Sequence, residues 1–403
     1  MVWHGRGERM GLLRRLAAGA AAAVLVLGGG PATAAPNLPE TPSATVVSVQ
    51  TYNMFFGADL TPLFGAQNPL IPASMMWARM QMSDIPGRAE AVAGVIAERA
   101  PDLVGLQEVS TWRSAPATFA GGVVVPTGEW STDYEVLDLL LADLAARGAP
   151  YELVVANTNF SNDALPLPVL TSRGLRLATL TDRDVILVKQ SSLGPEAMTI
   201  AATDVGTYEA KLLFTLAGTP IDVPRGWASA DVTLRDQTFR FLDTHLEAYG
   251  SAPLKDDVRN PQAVELAAII DASPYPVVVV GDVKARPSMC TDERLGQPEW
   301  PKDQDVVAYQ TLLDAGLAEV WQTVYPNDPC GSGGWTSGQD SLDGAESTLG
   351  HRTDDVFISA GFTALAAGVV GDEDADRTPA GLWPSDHAST WAKVRLDDAA
   401  RAT

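Results

Sequence analysis

Val277-Val278-Val279-Val280-Gly281-Asp282-Val283-Lys284-Ala285-Arg286-Pro287-Ser288 is the stretch around which this chain organises. The four valines run apolar as a strand does, and Asp282 follows them directly. A carboxylate or histidine just after an apolar strand is where sheet proteins place functional groups, because the sheet holds the side chain rigidly. An aspartate after glycine at a strand end is also an ordinary turn former or cap, so Asp282 alone decides nothing.

The same strand character recurs at 45–53 (TVVSVQTYN), 102–108 (DLVGLQE), 184–189 (DVILVK), 228–234 (ASADVTL), 238–245 (TFRFLDTH), 355–359 (DVFIS) and 389–396 (STWAKVRL). Three of these also end in a polar residue of functional type: Asn53, Glu108 and His245. Helical periodicity appears at 87–99, where Val92 and Ile96 share a face, at 134–147, and at 260–271, which opens with a proline. Strands joined partly by helices and partly by hairpin-like returns predict an α/β layered domain with mixed sheets. The stretches 54–86, 109–133 and 156–182 are rich in Pro, Gly, Asn, Ser and Thr and read as long loops that rim a site.

No internal repeat or low-complexity linker divides the chain, so residues 45–397 read as one domain, with a short tail at 398–403. Ahead of it, residues 35–44 (APNLPETPSA) read as a flexible lead-in. Arg6, Arg9, Arg14 and Arg15, the apolar run Leu16–Gly28 and the small residues Ala32-Thr33-Ala34 follow the plan of a secretory signal peptide over 1–34. The expected mature protein is secreted. Its formal charge falls from −22 to −25, because the leader carries four Arg and one Glu. That acidity argues against a broad basic surface for nucleic acid, while leaving open a nuclease whose bound metal supplies the local positive charge. Cys290 and Cys330 are the only cysteines, and outside the cytoplasm an even pair reads as one disulfide.

The mature chain holds three histidines, His245, His351 and His387, the last within Pro384-Ser385-Asp386-His387 just before the final strand. TYN ending at Asn53, PDLVGLQEV, FLDTHLEA, VVVVGDVKARPS, HRTDDVFIS and PSDH, in that order over about 45–397, together resemble the endonuclease/exonuclease/phosphatase family. RGWASADVTL at 225–234 and the stretch 334–357 look like an exported bacterial subgroup of it. The resemblance implies a DNase I-like four-layered sandwich, with two mixed β-sheets packed together and flanked by helices. It also implies metal-assisted hydrolysis of a phosphate ester by a monomer. Asn53, Glu108 and Asp386 would surround a divalent cation, Mg²⁺ or alternatively Mn²⁺, an oxygen-ligand site that suits a hard ion. His387 paired with Asp354 would contact the scissile phosphate or activate water, Asp282 would orient that water or act as base, and His245 would assist the phosphate or the leaving oxygen. Arg183 either clamps the phosphate or pairs with its flanking Asp182 and Asp184.

Within this pattern a nuclease and a lipid- or inositol-phosphate-directed enzyme are separated only weakly. No Lys/Arg-rich loop stands out, and Arg173, Arg176 and Arg183 are the nearest candidates. The stretch 54–77 (MFFGADLTPLFGAQNPLIPASMMW) suits either an apolar substrate loop or plain core. One residue breaks the pattern: Lys284 stands where the family usually has Asn. Lys only donates hydrogen bonds and adds positive charge beside Asp282. Three readings follow: a replacement phosphate donor, a partner that takes Asp282 out of service, or the mark of a non-catalytic binding module. With the rest of the constellation present, an active enzyme is the preferred reading. Lys284→Asn is expected to raise phosphodiester turnover, and turnover that stays level or falls would identify Lys284 as an adapted catalytic group.

Overall fold

The computed structural model describes residues 45–194, 197–248, 258–287, 304–328, 334–339 and 341–397. The leader at 1–34, the lead-in at 35–44, Cys290, Cys330 and the tail at 398–403 lie outside the described residues. The chain begins with β1 (Thr45–Asn53), α1 (Leu70–Met82), α2 (Ile85–Arg99) and β2 (Leu103–Gln107). It continues through β3 (Thr111–Ala120), β4 (Val123–Pro126), β5 (Ser131–Glu135), α3 (Val136–Ala146), β6 (Tyr151–Ser161), β7 (Leu167–Thr171) and β8 (Gly174–Lys189). Next come β9 (Met198–Thr207), β10 (Leu212–Leu216), β11 (Thr219–Val223), β12 (Gly226–Leu234), β13 (Gln237–His245), α4 (Arg259–Asp271) and β14 (Val277–Asp282). The remainder holds α5 (Gln304–Asp314), β15 (Ala318–Glu319), α6 (Val320–Val324), β16 (Asp354–Ile358), β17 (Phe362–Val370) and β18 (Ser389–Leu396).

Two large mixed sheets result. One has the order β17-β18-β1-β2-β8-β3-β4, with β5 added on β3 and β6 and β7 on β8; the other runs β15-β16-β14-β13-β12-β9. In each, one central pair is parallel, β1 with β2 and β13 with β14. The alternation of side chains along a strand explains the layers. Val278 and Val280 face Val47, Val49, Ile186 and Val394 of the opposite sheet in one apolar cluster. Val277 and Val279 face the other way, onto Leu266 and Ile270 of α4 and Leu312 of α5. On the far side of the first sheet, Val104, Leu106 and Leu187 pack against Val92 and Ile96 of α2 and Leu140 and Leu144 of α3. The four-layered α/β sandwich implied by the resemblance is therefore present. No helix among the described residues is long and apolar enough to cross a membrane.

Helix α2 illustrates how local chemistry sets an element. Asp84 accepts a hydrogen bond from the Gly87 N–H at its start, Pro86 sits in the first turn, and Ala100 ends it in the left-handed conformation. Arg88 lies on its buried face with Ala89, Val92 and Ile96.

Three expectations need correction. The stretch 54–86 carries α1, 109–133 carries β3, β4 and β5, and 156–182 is largely β6, β7 and the first half of β8. The strands of the second stretch carry turn-type residues at solvent-facing positions: Phe119 and Val123 are exposed, and many positions of β3 and β4 face solvent. Such strands lack the apolar alternation on which a sequence reading depends.

The sheets approach one another closely at Gly105 of β2. A Cβ there would lie 2.5 Å from Asp243 Oδ1 and 2.5 Å from Val280 Cγ2, both on the opposite sheet. Gly105→Ala is expected to destabilise the fold by about 1–3 kcal/mol through overpacking. A lowered urea midpoint is the test, and an unchanged one would contradict this close approach.

Candidate active site

The strand ends place the functional residues in register. Asn53 is opposite Gln107 in the first sheet, with Glu108 next along. In the second sheet His245 is opposite Asp282, and Asp282 opposite Asp354. Asn53, His245, Asp282 and Asp354 have no exposed surface, and His387 is 6% exposed.

Asp282 is the hub. Its Oδ2 accepts from Lys284 Nζ at 2.6 Å and from Asn53 Nδ2 at 2.9 Å. His245 Nε2 and His387 Nε2 stand 3.5 and 3.7 Å from the same oxygen. Its Oδ1 is buried without a hydrogen-bond partner among the described residues. Burial works to raise this carboxyl, but Lys284 and then the two histidines hold it well below the usual carboxylate range. Asp282 is thus an anion at any working pH, with one oxygen engaged and one free. The ion pair with Lys284 leaves it an acceptor for a water.

The two histidines are set differently. Arg225 Nη1 lies 3.1 Å from His245 Nδ1. A guanidinium only donates, so Nδ1 accepts and the ring proton sits on Nε2. Burial, reinforced by Arg225, keeps His245 well below the ordinary histidine range, so it stays neutral and presents an N–H. His387 Nδ1 lies 2.8 Å from Asp354 Oδ2, and Lys284 Nζ is 3.3 Å from Nε2. Burial opposes protonation, but Asp354 outweighs it and pushes His387 up to about 9. With Nδ1–H bound to Asp354, proton exchange takes place at Nε2.

Buried arginines hold the surrounding loops. Arg88 donates to the carbonyls of Met54 (2.9 Å), Phe55 (3.2 Å), Ser83 (2.9 Å) and Pro384 (3.2 Å), tying the segment after β1 to the Pro384–His387 loop. Ser385 Oγ adds a 2.7 Å bond to the Asn53 carbonyl. Arg225 also pairs with Asp182 (3.2 Å) and Glu247 (3.3 Å). Phe55, Glu108 and Lys284 have φ of 57°, 58° and 48°. Non-glycine residues held in the left-handed region store of order 1–3 kcal/mol each, commonly at functional sites.

The metal-ligand expectation divides. Glu108 and Asp386 both line the cavity that opens onto this cluster. Glu108 is bonded by neutral donors, Asn53 Nδ2 (3.2 Å) and the Phe56 N–H (3.0 Å), and burial with Asp386 pushes it up to about 7. Two oxygen ligands that repel one another fit a hard divalent cation. Asn53, the third residue of that expectation, sits beside Glu108. Its Oδ1 accepts from the Phe55 N–H at 2.9 Å and its amide N–H groups point at Glu108 and Asp282. Asp282, Asp354 and His387 also bring ligand-type atoms within 4.8 Å of one another. There the Lys284 ammonium already supplies the positive charge, so a second cation is disfavoured.

Arg183 stands apart from the cavity. It is bound to Glu135, Thr111 Oγ1 (2.9 Å) and the Val109 carbonyl (3.2 Å), and pairs with neither flanking aspartate. Neighbours along a strand point to opposite faces, so Asp182 lines the cavity and Arg183 faces away. Arg225 is the guanidinium at the site. Its signal was its position at the head of RGWASADVTL, as that of Arg88 was a charge on an apolar helix face.

Arg225→Met is expected to cost about 3–5 kcal/mol of stability, because the buried Asp182 and Glu247 each lose their ion pair with Arg225. ¹⁵N NMR of wild-type His245 is expected to show a neutral ring protonated at Nε2, and a proton on Nδ1 would refute this assignment.

No family model matches the sequence, and no curated protein matches it. Among solved structures, an endonuclease/exonuclease/phosphatase from Bacteroides vulgatus aligns with a TM-score of 0.50 at 14% identity, covering 87% of this chain and 99% of that one. A family protein from Bacteroides thetaiotaomicron aligns at 0.49 and 15% identity over 88% of this chain and 99% of its own. D. rerio TDP2 complexed with single-strand DNA product aligns at 0.49 and 15% identity, over 87% and 98%. With its two mixed sheets packed face to face between helical layers, and with the likeness to the Bacteroides vulgatus protein, the chain has the endonuclease/exonuclease/phosphatase, DNase I-like fold.

Proposed function

We propose that this chain is an exported, divalent-metal-dependent phosphoester hydrolase acting as a monomer. The observation that carries the reading is the convergence on one carboxylate oxygen of Asp282 of an ammonium, an amide and two imidazoles, beside the Glu108–Asp386 pair. Phosphoryl transfer asks mainly for positioning and neutralisation of charge, and this cluster is built for both.

In the reaction, a water oxygen bonds to phosphorus, the ester oxygen departs, and the water's proton ends on the leaving alcohol. Asp282 orients the water through its free Oδ1. Lys284 and the His245 Nε2–H donate to the phosphate oxygens. His387, held by Asp354 through Nδ1, passes or receives the proton at Nε2. Glu108 and Asp386 would hold Mg²⁺ or Mn²⁺, which would neutralise charge on the phosphate and polarise its P–O bond. Export rests on the leader residues. The acidic composition supports a small phosphoester over nucleic acid, since a strand-binding groove gains its affinity from basic residues.

The test is hydrolysis of bis(4-nitrophenyl) phosphate by the mature chain with Mg²⁺, with Mn²⁺ and with EDTA. Turnover is expected only with metal, and His387→Ala is expected to lower kcat by roughly 10²–10⁴-fold. A folded wild-type protein inert with every metal would sink the hydrolase reading in favour of a binding module.

A further inference from the structure

The cavity above the catalytic cluster is much larger than a phosphate requires. It has a volume of about 710 Å³, within the range of pockets that enclose a whole small ligand. Its floor is polar: Glu108, Arg225, His245, Lys284, Asp386 and His387. Its walls are largely aliphatic and aromatic. Leu63 and Phe64 come from the segment after β1, Leu180 from β8, and Leu212, Phe214 and Ile221 from the β10–β11 hairpin.

The hairpin belongs to neither large sheet. Strand alternation puts Leu212, Phe214 and Leu216 on the cavity side and leaves Leu213 61% exposed. It is strapped to the segment after β1 by Gly65 N–H to Thr215 O (2.8 Å), Ala217 N–H to Ala66 O (2.7 Å), and the Phe64 and Phe214 rings 4.5 Å apart. Leu63, Leu180 and Leu216 belong to a buried apolar cluster and also line the cavity, so these walls are held in place by core packing. Polar side chains such as Asp59, Ser161, Asn162 and Asp222 also line the cavity, but the side formed by Leu212, Phe214, Leu216 and Ile221 is apolar, and a hydrocarbon group seated there gives up no hydrogen bond.

We infer that the site takes phosphate esters bearing one apolar alkyl or aryl group, which seats under the β10–β11 hairpin while the phosphate meets Lys284 and the floor. The inference rests on the phosphoesterase reading and adds the substrate class to it. The stretch 54–77, open in the sequence between apolar substrate loop and core, then serves as both: Trp77 and Met80 pack inward in the core, while Phe56, Leu63 and Phe64 wall the pocket.

The test uses methyl, butyl and octyl 4-nitrophenyl phosphodiesters, all below their micelle concentrations. In parallel, calorimetry measures the binding of methyl-, butyl- and octylphosphonate, which resist hydrolysis. The expected result is a rise in kcat/KM of roughly threefold per methylene until the pocket is filled, with phosphonate Kd falling in step. Ile221→Trp, which fills the pocket, and Phe214→Ala, which removes a wall, are each expected to reduce the octyl-to-methyl ratio at least tenfold. Hydrolysis of all three diesters at one rate, with phosphonate binding independent of chain length, would overturn the inference and leave the phosphoesterase reading standing. Chain-length-dependent phosphonate binding without hydrolysis would support the apolar pocket and remove the phosphoesterase reading. Binding of no phosphonate would overturn the inference outright.

Discussion

Everything at the site depends on a carboxylate that cannot move. Asp282 ends a strand whose valines are buried on both faces, between the opposite sheet and the α4–α5 layer. A strand so enclosed is held by close packing on both faces and by its ladders to β13 and β16, so its last residue is fixed in place. Asp282 Oδ2 is therefore a fixed point to which Lys284, Asn53, His245 and His387 are referred. The parallel β13–β14 and antiparallel β14–β16 pairings deliver His245 and Asp354 to its two sides.

The sandwich is apolar along most of its length and polar at this end. Thr51, Gln107 and Asp243 are buried between the sheets alongside the site residues, and Gln107 Nε2 reaches Asp243 Oδ1 at 2.6 Å. Buried polar groups are costly unless satisfied, and a rigid satisfied network specifies a single arrangement. Arg88 and Arg225 do this for the loops, converting flexible connections into walls held by charge-assisted hydrogen bonds. The positive φ values at Phe55, Glu108 and Lys284 are the local strain that this scaffold sustains.

Lys284 alters the electrostatics without dismantling the geometry. It holds Asp282 ionised, opposes the protonation of His387 and lowers Glu108. One ammonium thus biases titratable groups across the site, His245 and Asp354 among them. In the proposed reaction the chain itself would supply part of the positive charge at the phosphate, and a cation would fall to Glu108 and Asp386.

By itself the sequence determined the strands and helices with strong apolar periodicity and the polar residues at their ends, because burial writes a period of 2 or 3.6 into the chain. Asn53, Glu108, His245, Asp282, Asp354 and His387 were legible for that reason, and as ordered motif blocks. The marginal strands β3 to β7 and the β10–β11 hairpin were not, since their exposed or mixed faces carry no such period. Only the tertiary structure decided that Arg225 rather than Arg183 lines the cavity, that the Asn53 amide donates to Glu108 and Asp282, and that the segment after β1 meets a distant hairpin across that cavity. Each is a matter of which face a side chain takes or which loops meet across the sandwich. Contacts between residues far apart in sequence leave no local signature, because they are set by the packing of the sheets and not by the neighbours along the chain.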